Sequence, residues 1–246
     1  MDMKKYADMH IHLLHGVDDG ADDETEMYEI LDAAYKDGCR VICTTPHFHL
    51  GYFGDNRARA LKAYEQLKQY AGKYEDLKLH FGNELRFCPN CTELLKSGAC
   101  SSLNDTKYVL VDFREDDDGE YIVSSLLRLL NAGYKPVLAH AERYAGFHRD
   151  FSEIKYLRQC GITIQVDAQS PFGAWGRAAK KRSRKLIELF LTDIVASDAH
   201  NTASRPPQMG NCYDYVAEKC GEDYARLLFW NNPIRIIEDN DIERAN

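Results

Sequence analysis

The stretch Y-A-D-M-H-I-H, residues 6–12, joins a short β-strand pattern to two histidines at its downstream end. Asp8, His10 and His12 share one face, because residues i and i+2 of a strand point the same way. The same arrangement recurs along the chain, where short β-branched runs finish on imidazole or carboxylate groups. These groups are the ligand types of zinc, manganese and iron sites. The other strand-end residues are His47, Glu84, Asp112, His140, Asp198 and His200.

Groups so far apart in the chain can meet only if the fold gathers the strand ends in one place. The sequence predicts strands near 6–12, 40–45, 76–83, 107–113, 135–139, 161–168 and 192–197, and helices near 23–37, 56–73, 120–132, 150–160 and 177–191. This alternation is typical of a parallel barrel or a doubly wound sheet. We expect an irregular connection at 85–106, one or two closing helices at 210–237, and a frayed end at 238–246.

Size and composition favour one domain over residues 1–246. The chain has 246 residues, of which 44% are hydrophobic, and α/β barrels commonly have about 250 residues. The net charge of -8 argues against a nucleic-acid partner, which would normally require a basic surface. The one basic cluster, residues 180–185, is interpreted as the solvated start of a helix.

Membrane insertion and export are not expected. No apolar run approaches the roughly 18 residues that span a bilayer, and the first residues show no hydrophobic core of a signal peptide. The eight cysteines follow no regular disulfide framework, so we expect thiols and a cytoplasmic location. Cys88 and Cys91 form a lone C-x-x-C, which we interpret as two loop thiols.

Arginines follow two of the strand-end histidines. Arg143 follows His140 in H-A-E-R-Y, and Arg205 follows His200 in S-D-A-H-N-T-A-S-R. Guanidinium groups bind phosphate through paired hydrogen bonds. Each arginine could equally pair with a carboxylate, Glu142 being one candidate. For Arg86, two residues after Glu84, we prefer such a salt bridge.

The stretches D-M-H-I-H, G-V-D-D-G-A, T-T-P-H, G-N-E, Y-V-L-V-D-F, A-H-A-E-R-Y and S-D-A-H-N resemble the PHP (polymerase and histidinol phosphatase) superfamily. They are most similar to its bacterial tyrosine-phosphatase branch, the CpsB/YwqE type linked to capsule and exopolysaccharide regulation. The resemblance implies a distorted (β/α)7 TIM-like barrel and a centre of up to three ions, usually manganese, with iron or zinc possible. Carried over by position, the metal ligands are His10, His12, Asp19, His47, Glu84, Asp112, His140, Asp198 and His200, with Asp19 preferred to Asp18 by its offset from His10.

By the same resemblance, the activity is that of a protein-tyrosine phosphatase, in which a metal-bridging hydroxide attacks phosphorus. Arg143 and Arg205 would bind the phosphate, and His47 could donate a proton if it is not a ligand. The implied partner is a phosphotyrosine protein such as a bacterial tyrosine autokinase. Phe48, Tyr52 and Phe53 are candidates to border the tyrosine ring, although ordinary loop packing is the preferred interpretation.

Alternatives remain at this stage. A small-molecule phosphatase such as a histidinol phosphatase would use the same centre, an amidohydrolase would not need the two arginines, and a non-catalytic regulatory module would only bind metal. The family usually has Glu where this chain has Asp112, and a shorter side chain there could leave one metal weakly held. The segment from Cys220 to Arg226 matches the C-x5-R spacing of cysteine phosphatases, but its acidic residues oppose binding of a phosphate dianion.

Overall fold

The computed structural model describes residues 4–53 and 56–245. The strands are β1 (Tyr6–Ile11), β2 (Cys39–Thr44), β3 (His47–Phe48), β4 (Lys78–Phe81), β5 (Glu84–Arg86), β6 (Tyr108–Asp112), β7 (Lys135–Leu138), β8 (Thr163–Asp167) and β9 (Ile194–Ala196). The helices are α1 (Glu24–Asp37), α2 (Arg57–Ala71), α3 (Cys91–Lys96), α4 (Gly119–Asn131), α5 (Ser152–Gln159), α6 (Gly176–Glu188), α7 (Gly210–Cys220), α8 (Glu222–Arg226) and α9 (Asn232–Ile237).

The paired strands are all parallel and form two sheets, in the orders β1-β2-β4 and β3-β5-β6-β7-β8-β9. Only two residues separate β2 from β3, and two separate β4 from β5. Hydrogen bonding continues across both gaps, since Gly82 N–H donates to the Thr44 carbonyl at 2.9 Å and Glu84 N–H donates to the Pro46 carbonyl at 3.2 Å. Each gap is therefore a bend within one strand path.

The first and last strands, β1 and β9, meet at their carboxyl ends. Asp198 N–H donates to the His10 carbonyl at 2.8 Å, and His12 N–H donates to the Ala199 carbonyl at 2.8 Å. The chain is therefore an α/β protein whose parallel strands form a half-barrel, with strand carboxyl ends from both sheets on one side. This confirms the predicted α/β class and the alternation of strands with helices.

Neighbouring strand residues contribute to two buried clusters, as expected when side chains alternate between the faces of a sheet. The larger cluster includes the apolar faces of the helices, such as Ile122, Leu126 and Leu129 of α4. The smaller cluster is closed by Ile236 of α9. Cys43, Leu110, Val137 and Ile194 belong to the smaller cluster, and their neighbours Ile42, Val111, Leu138 and Val195 to the larger one.

The end of the chain differs from the prediction. Residues 210–237 form three helices joined by a π-helical turn at Leu227–Asn231, and the irregular connection at 85–106 contains α3. The predicted frayed end is packed as far as it is described: Glu243 N–H donates to Asn232 Oδ1 at 2.8 Å, and Asn232 Nδ2 donates to the Glu243 carbonyl at 2.9 Å. Residue 246 lies outside the described residues. Within residues 4–53 and 56–245, every helix is too short or too polar to cross a bilayer.

The carboxylate of Asp193, just before β9, holds three parts of the fold together. It is buried, lies 2.9 Å from Arg158 and 3.4 Å from Arg244, and accepts the Ile164 N–H at 3.0 Å. Removing one partner of a buried ion pair leaves the other charge uncompensated, at a cost of roughly 3–5 kcal/mol. We expect Asp193→Ala to lower the free energy of unfolding in urea by about that amount.

The matched control is Asp214→Ala, because Asp214 is exposed and pairs with Lys4 at the surface. Exposed ion pairs contribute at most about 1 kcal/mol. Equal losses of unfolding free energy in the two variants would contradict the structural role of Asp193.

Candidate active site and metal centre

Glu84, the first residue of β5, is buried among four imidazoles. Its Oε2 lies 2.7 Å from His47 Nδ1, 3.2 Å from His12 Nε2 and 3.3 Å from His10 Nε2. Its Oε1 lies 3.0 Å from His140 Nε2. Four imidazoles from three strand ends, those of β1, β3 and β7, thus direct nitrogen atoms at one carboxylate.

Asp198 and Asp19 extend this cluster on either side. Asp198 Oδ1 lies 3.3 Å from His10 Nε2 and 3.4 Å from His12 Nε2. Asp19 Oδ1 lies 3.3 Å from His47 Nε2 and 3.4 Å from His200 Nε2. These carboxylates share the same histidines with Glu84, so the three acids and their imidazoles form one continuous set of donor atoms.

The structure brings together all the residues predicted as metal ligands. Three groups have donor atoms within 4.8 Å of one another, and His140 joins them through Glu84. The groups are His12, Asp19, His47 and His200; His10, His12 and Asp198; and His47, Glu84 and Asp112.

Asp18 and Asp19 have different positions. The Asp18 carboxylate is buried, lies 2.8 Å from His12 Nδ1 and accepts the His47 N–H at 2.7 Å. It therefore orients the His12 imidazole from behind, as carboxylates beside metal-binding histidines commonly do, and fixes the backbone of His47. Asp19 is half exposed and faces His47 and His200. This geometry supports the choice of Asp19 as the ligand.

The donor set fits bound cations. His10 Nε2 and His12 Nε2 lie 3.1 Å apart, and at most one proton can occupy the space between them. Glu84 Oε2 and His200 Nε2 are buried and, despite their close contacts with His47 and Asp19, make no well-aligned hydrogen bond in the described part of the chain. Buried polar atoms without partners are costly, and a cation shared among them would remove that cost.

The protonation of the imidazoles is uneven. Burial by itself would lower the pKa of His47, but Glu84 and Asp19 raise it to about 10. Burial lowers the pKa of His12, but Asp18 and the other nearby carboxylates together raise it by more, so the net pKa is raised. The pKa of His200, in contrast, is lowered to about 4 by burial and by the nearby His12. Before a cation binds, the raised pKa values of His12 and His47 favour the protonated form of both imidazoles.

Two predicted ligands have strained backbones. His140 has φ 33° and Asp198 has φ 50°, in the left-handed region that non-glycine residues rarely adopt. Such conformations cost roughly 1–3 kcal/mol each and persist where surrounding contacts fix them. Here the His140 N–H donates to Gln165 Oε1 at 2.9 Å, and the Asp198 N–H donates to the His10 carbonyl.

Arg143 and Arg205 meet at Asp198. Arg205 Nη2 donates to Asp198 Oδ2 at 2.8 Å, and Arg143 Nη2 donates to both Asp198 and Asp167. The carboxylate partners of Arg143 are therefore Asp167 and Asp198, and the suggested pairing with Glu142 was wrong. Glu142 instead accepts hydrogen bonds from Ser170 Oγ and the Asp167 N–H.

Trp175, which was not predicted from the sequence, contacts both arginines. The Arg143 guanidinium carbon lies 3.5 Å from the indole centre, and that of Arg205 lies 4.9 Å from it. Trp175 follows a short 3-10 turn after β8 and immediately precedes α6. No ligand motif marks it in the sequence, because its role depends on how this loop folds over the site.

Gln165 and Asp167 on β8 were also missed. Gln165 Oε1 lies 3.0 Å from His10 Nδ1, and Gln165 Nε2 donates to Asp167 Oδ1 at 2.8 Å. Q-V-D has the same i, i+2 spacing as the first histidine pair, so the spacing rule could have placed these side chains at the site.

A cavity of about 580 Å³ opens beside Asp19 and His47. Of the three aromatic candidates, Tyr52 and Phe53 line it, and Phe53 stacks on the His47 ring at 5.3 Å between centres. Phe48 is buried in the larger core cluster instead. The other wall residues are His49, Arg86, Phe87, Arg114, Asp117 and Tyr121.

Arg86 makes the salt bridge we expected. Its Nη2 lies 2.7 Å from Asp112 Oδ2. Asp112 Oδ1 lies 3.6 Å from His140 Nε2 and accepts the Tyr144 hydroxyl at 3.4 Å. Burial, and then the neighbouring Glu84, raise the pKa of Asp112.

The thiols lie apart from this centre. Cys220 is at the end of α7, with its Sγ 3.8 Å from the Ile187 carbonyl, and burial raises its pKa. The segment after it forms α8 rather than a phosphate-binding loop. Cys88 and Cys91 have sulfur atoms 3.3 Å apart, but Cys91 is buried, so the prediction of two loop thiols was only half right.

The basic cluster lies in the body of α6 rather than at a solvated helix start. Arg182 Nη1 donates to the Tyr144 carbonyl at 2.8 Å, and its Nη2 donates to the Arg143 carbonyl at 3.1 Å. This arginine therefore fixes the backbone of the loop that carries Arg143.

Comparison with known proteins agrees with this geometry. The sequence model of the family described as capsular polysaccharide synthesis, CpsB/CapC, matches residues 6–238. The chain belongs to the CpsB/CapC family. Tyrosine-protein phosphatase CpsB of Streptococcus pneumoniae is 33% identical over 238 residues, which cover 94% of this chain and 98% of that protein. Tyrosine-protein phosphatase YwqE of Bacillus subtilis (strain 168) is 36% identical over 200 residues, 80% of this chain and 78% of the relative.

Solved structures give the same family and a broader fold group. A crystal structure from work on YwqE and CpsB, described as unique metal-dependent tyrosine phosphatases, superposes with a TM-score of 0.86 at 31% identity and covers 97% of both chains. The 5-methylcytosine deaminase of Klebsiella pneumoniae has a TM-score of 0.55 at 13% identity, covering 95% of this chain and 75% of its own. That second likeness concerns the fold alone.

The raised pKa values of His12 and His47 predict that metal binding releases protons. A metal accepts only deprotonated imidazole, so affinity should increase as pH rises toward the pKa of His47. We expect Mn²⁺ titrated into metal-free protein at pH 7 to show net proton release, measured by calorimetry in buffers of different ionisation enthalpy.

His47→Gln should reduce the number of protons released. His80→Gln is the control, because His80 lies on β4 and contacts Asn104 rather than the cluster. A heat of binding that does not depend on the buffer would contradict the expected protonation.

Trp175 should affect the binding of phosphate through the two arginines, without contacting the metal ions. A cation–π contact contributes roughly 0.5–2 kcal/mol, so Trp175→Ala should weaken binding of inorganic phosphate to the Mn²⁺-loaded protein by about two- to thirtyfold. Trp175→Phe keeps an aromatic face and should retain most of the affinity. If calorimetry showed the same phosphate affinity for Trp175→Ala as for the unchanged protein, a role of Trp175 in phosphate binding would be contradicted.

Proposed function

We propose that this chain is a metal-dependent protein-tyrosine phosphatase that acts in the regulation of capsule or exopolysaccharide synthesis. One observation carries the proposal: Asp198 contacts His10 and His12 on one side and both arginines on the other. The candidate metal ligands and the two arginines that would bind phosphate therefore share one carboxylate. The names of the relatives, the tyrosine-protein phosphatases CpsB and YwqE, support the same activity, and the description of the family supports the link to capsule synthesis.

The cations would be held by the nine residues predicted from the sequence, with up to three ions. Manganese is our first choice, and the mixed nitrogen and oxygen donors also suit iron or zinc. When bound, divalent cations supply a hydroxide nucleophile near neutral pH and stabilise negative charge.

The arginines would bind and orient the phosphate. Arg205 is a quarter exposed and Arg143 is largely buried, so the two approach the cluster from different depths. Their contacts with Asp198, Asp167 and Trp175 fix both guanidinium groups before substrate arrives. Such preorganised donors stabilise charge that develops in the transition state.

His47 is better placed as a ligand than as an acid. Its Nδ1 faces Glu84 and its Nε2 faces Asp19, so neither nitrogen is directed at a leaving group. The leaving group itself needs little help, because a tyrosine phenol has a pKa of about 10. We propose that His47 acts only by binding metal.

The aromatic wall of the cavity suits a tyrosine ring. Phe53, Phe87 and Tyr121 line the approach to Asp19 and His47, and Tyr52 is three-quarters exposed at the rim. An open cavity with an exposed aromatic rim favours a tyrosine presented by a protein over a small polar metabolite such as histidinol phosphate.

We also propose the barrel architecture, the cellular compartment and the substrate protein. Continuous hydrogen bonding across the two strand bends, with the β1 to β9 contacts, supports a distorted (β/α)7 barrel and a single domain over residues 1–246. The eight cysteines are free thiols, which supports the cytoplasm as the compartment. A bacterial tyrosine autokinase is the substrate protein that we propose.

The test is hydrolysis of para-nitrophenyl phosphate and of a phosphotyrosine peptide with added Mn²⁺. We expect turnover on both, loss of turnover after exhaustive chelation, and recovery when the metal is restored. Histidinol phosphate should be a much poorer substrate.

Cys220→Ser is the matched control and should keep the full rate, because Cys220 is far from the centre. Activity that survives chelation, or that disappears with Cys220→Ser, would be inconsistent with the proposal.

A further inference from the structure

A groove begins at Arg143 and lies across the loop between β6 and α4 from the cavity beside His47. Arg114 and Asp117 of this loop line the cavity beside His47, whereas Glu115 and Asp116 line the groove. The groove has a volume of about 590 Å³, and its inner end is formed by Arg143 and Trp175.

The groove continues into an outer cavity of about 390 Å³. Ala145, Ala178 and Arg182 line both spaces, so the two are adjacent along one surface. The outer cavity contains no carboxylate. Its charged or titratable wall residues are His148, Arg149, Lys181, Arg182 and Lys185.

Three of these cations have no carboxylate partner. Arg149, Lys181 and Lys185 are exposed, and no acid among residues 4–53 and 56–245 forms an ion pair with them. His148 is different, because Glu153 pairs with it. Unpaired cations clustered beside an active site are unexpected in a chain with a net charge of -8. They produce a local positive field that attracts anions.

We propose that the outer cavity binds an acidic segment of the phosphoprotein substrate, while the phosphotyrosine occupies the site beside His47. The idea rests on the proposed phosphatase function and adds a determinant of substrate choice. The phenyl groups of Phe147 and Phe151 give the cavity an apolar component, so it suits a peptide with mixed acidic and apolar residues.

The charges also predict where the acidic residues should lie. Glu115 lines the inner groove together with Asp116, which pairs with Arg114, and the groove therefore disfavours carboxylates next to the phosphotyrosine. Lys181 and Lys185 lie farther out on α6. A substrate with acidic residues several positions away from the tyrosine should therefore be preferred over one with acids directly beside it.

The experiment compares three phosphotyrosine peptides: one neutral, one with an adjacent acidic cluster and one with a distant acidic cluster. We expect the highest kcat/KM for the distant cluster at low salt, and a loss of this advantage at high salt. Lys181→Glu/Lys185→Glu should lower kcat/KM for that peptide about tenfold. Turnover of the neutral peptide and of para-nitrophenyl phosphate should remain unchanged.

The control is Arg59→Glu/Lys62→Glu, the same charge change on exposed positions of α2. It should leave all three peptides unaffected. Equal loss on neutral and acidic peptides, or equal loss in the control, would overturn the proposal.

Binding of the distant-cluster peptide in its unphosphorylated form, followed by fluorescence anisotropy, does not depend on catalysis. It should be salt-sensitive and weakened only by the α6 variant. Failure of the phosphatase assay alone would therefore count against the proposed function, and failure of this binding would count against the cavity. Tighter binding of an acidic polysaccharide than of the peptide would also overturn the proposal.

Discussion

The site depends on a buried carboxylate that is stable only among positive or proton-bearing neighbours. Glu84 is almost fully buried, and an unpaired carboxylate there would cost several kcal/mol. Four imidazoles carried by three strands, β1, β3 and β7, supply its partners. The fold must therefore bring β1, β3, β5 and the end of β7 to one point.

The bends in two strands serve this requirement. Pro46 interrupts one strand path just before His47, and Gly82 and Asn83 interrupt the other just before Glu84. Asn83 fixes the second bend, since its Nδ2 donates to the Pro46 carbonyl at 3.0 Å and its Oδ1 accepts the Ser101 N–H at 2.9 Å. His47 and Glu84 are thus the first residues of β3 and β5, and they are paired in register as neighbours in the six-stranded sheet.

How far the sequence could predict this site depends on whether a residue follows a local rule. His10, His12 and Asp198 were predictable, because strand periodicity and ligand chemistry are visible in short stretches. Trp175 was not found, because its role arises from contacts between loops of different strands, whereas Asp167 follows the i, i+2 spacing on β8 and was overlooked. The predicted partner of Arg143 was wrong for a similar reason. Glu142 is adjacent to Arg143 in sequence, whereas Asp198 is adjacent to it only in space. The packed end of the chain likewise depends on contacts with Asn232 and Asp193 that no local pattern reveals.

Asp112 shows how the site accommodates a shorter acid. The sequence raised the concern that Asp in place of Glu could leave one metal weakly held. The carboxylate nevertheless has donor distances within 4.8 Å of His47 and Glu84, so the third group of ligands stays intact. Arg86 bonds the outer oxygen at 2.7 Å and leaves Oδ1 on the side of His140. The salt bridge therefore leaves one oxygen of Asp112 free to face the cluster.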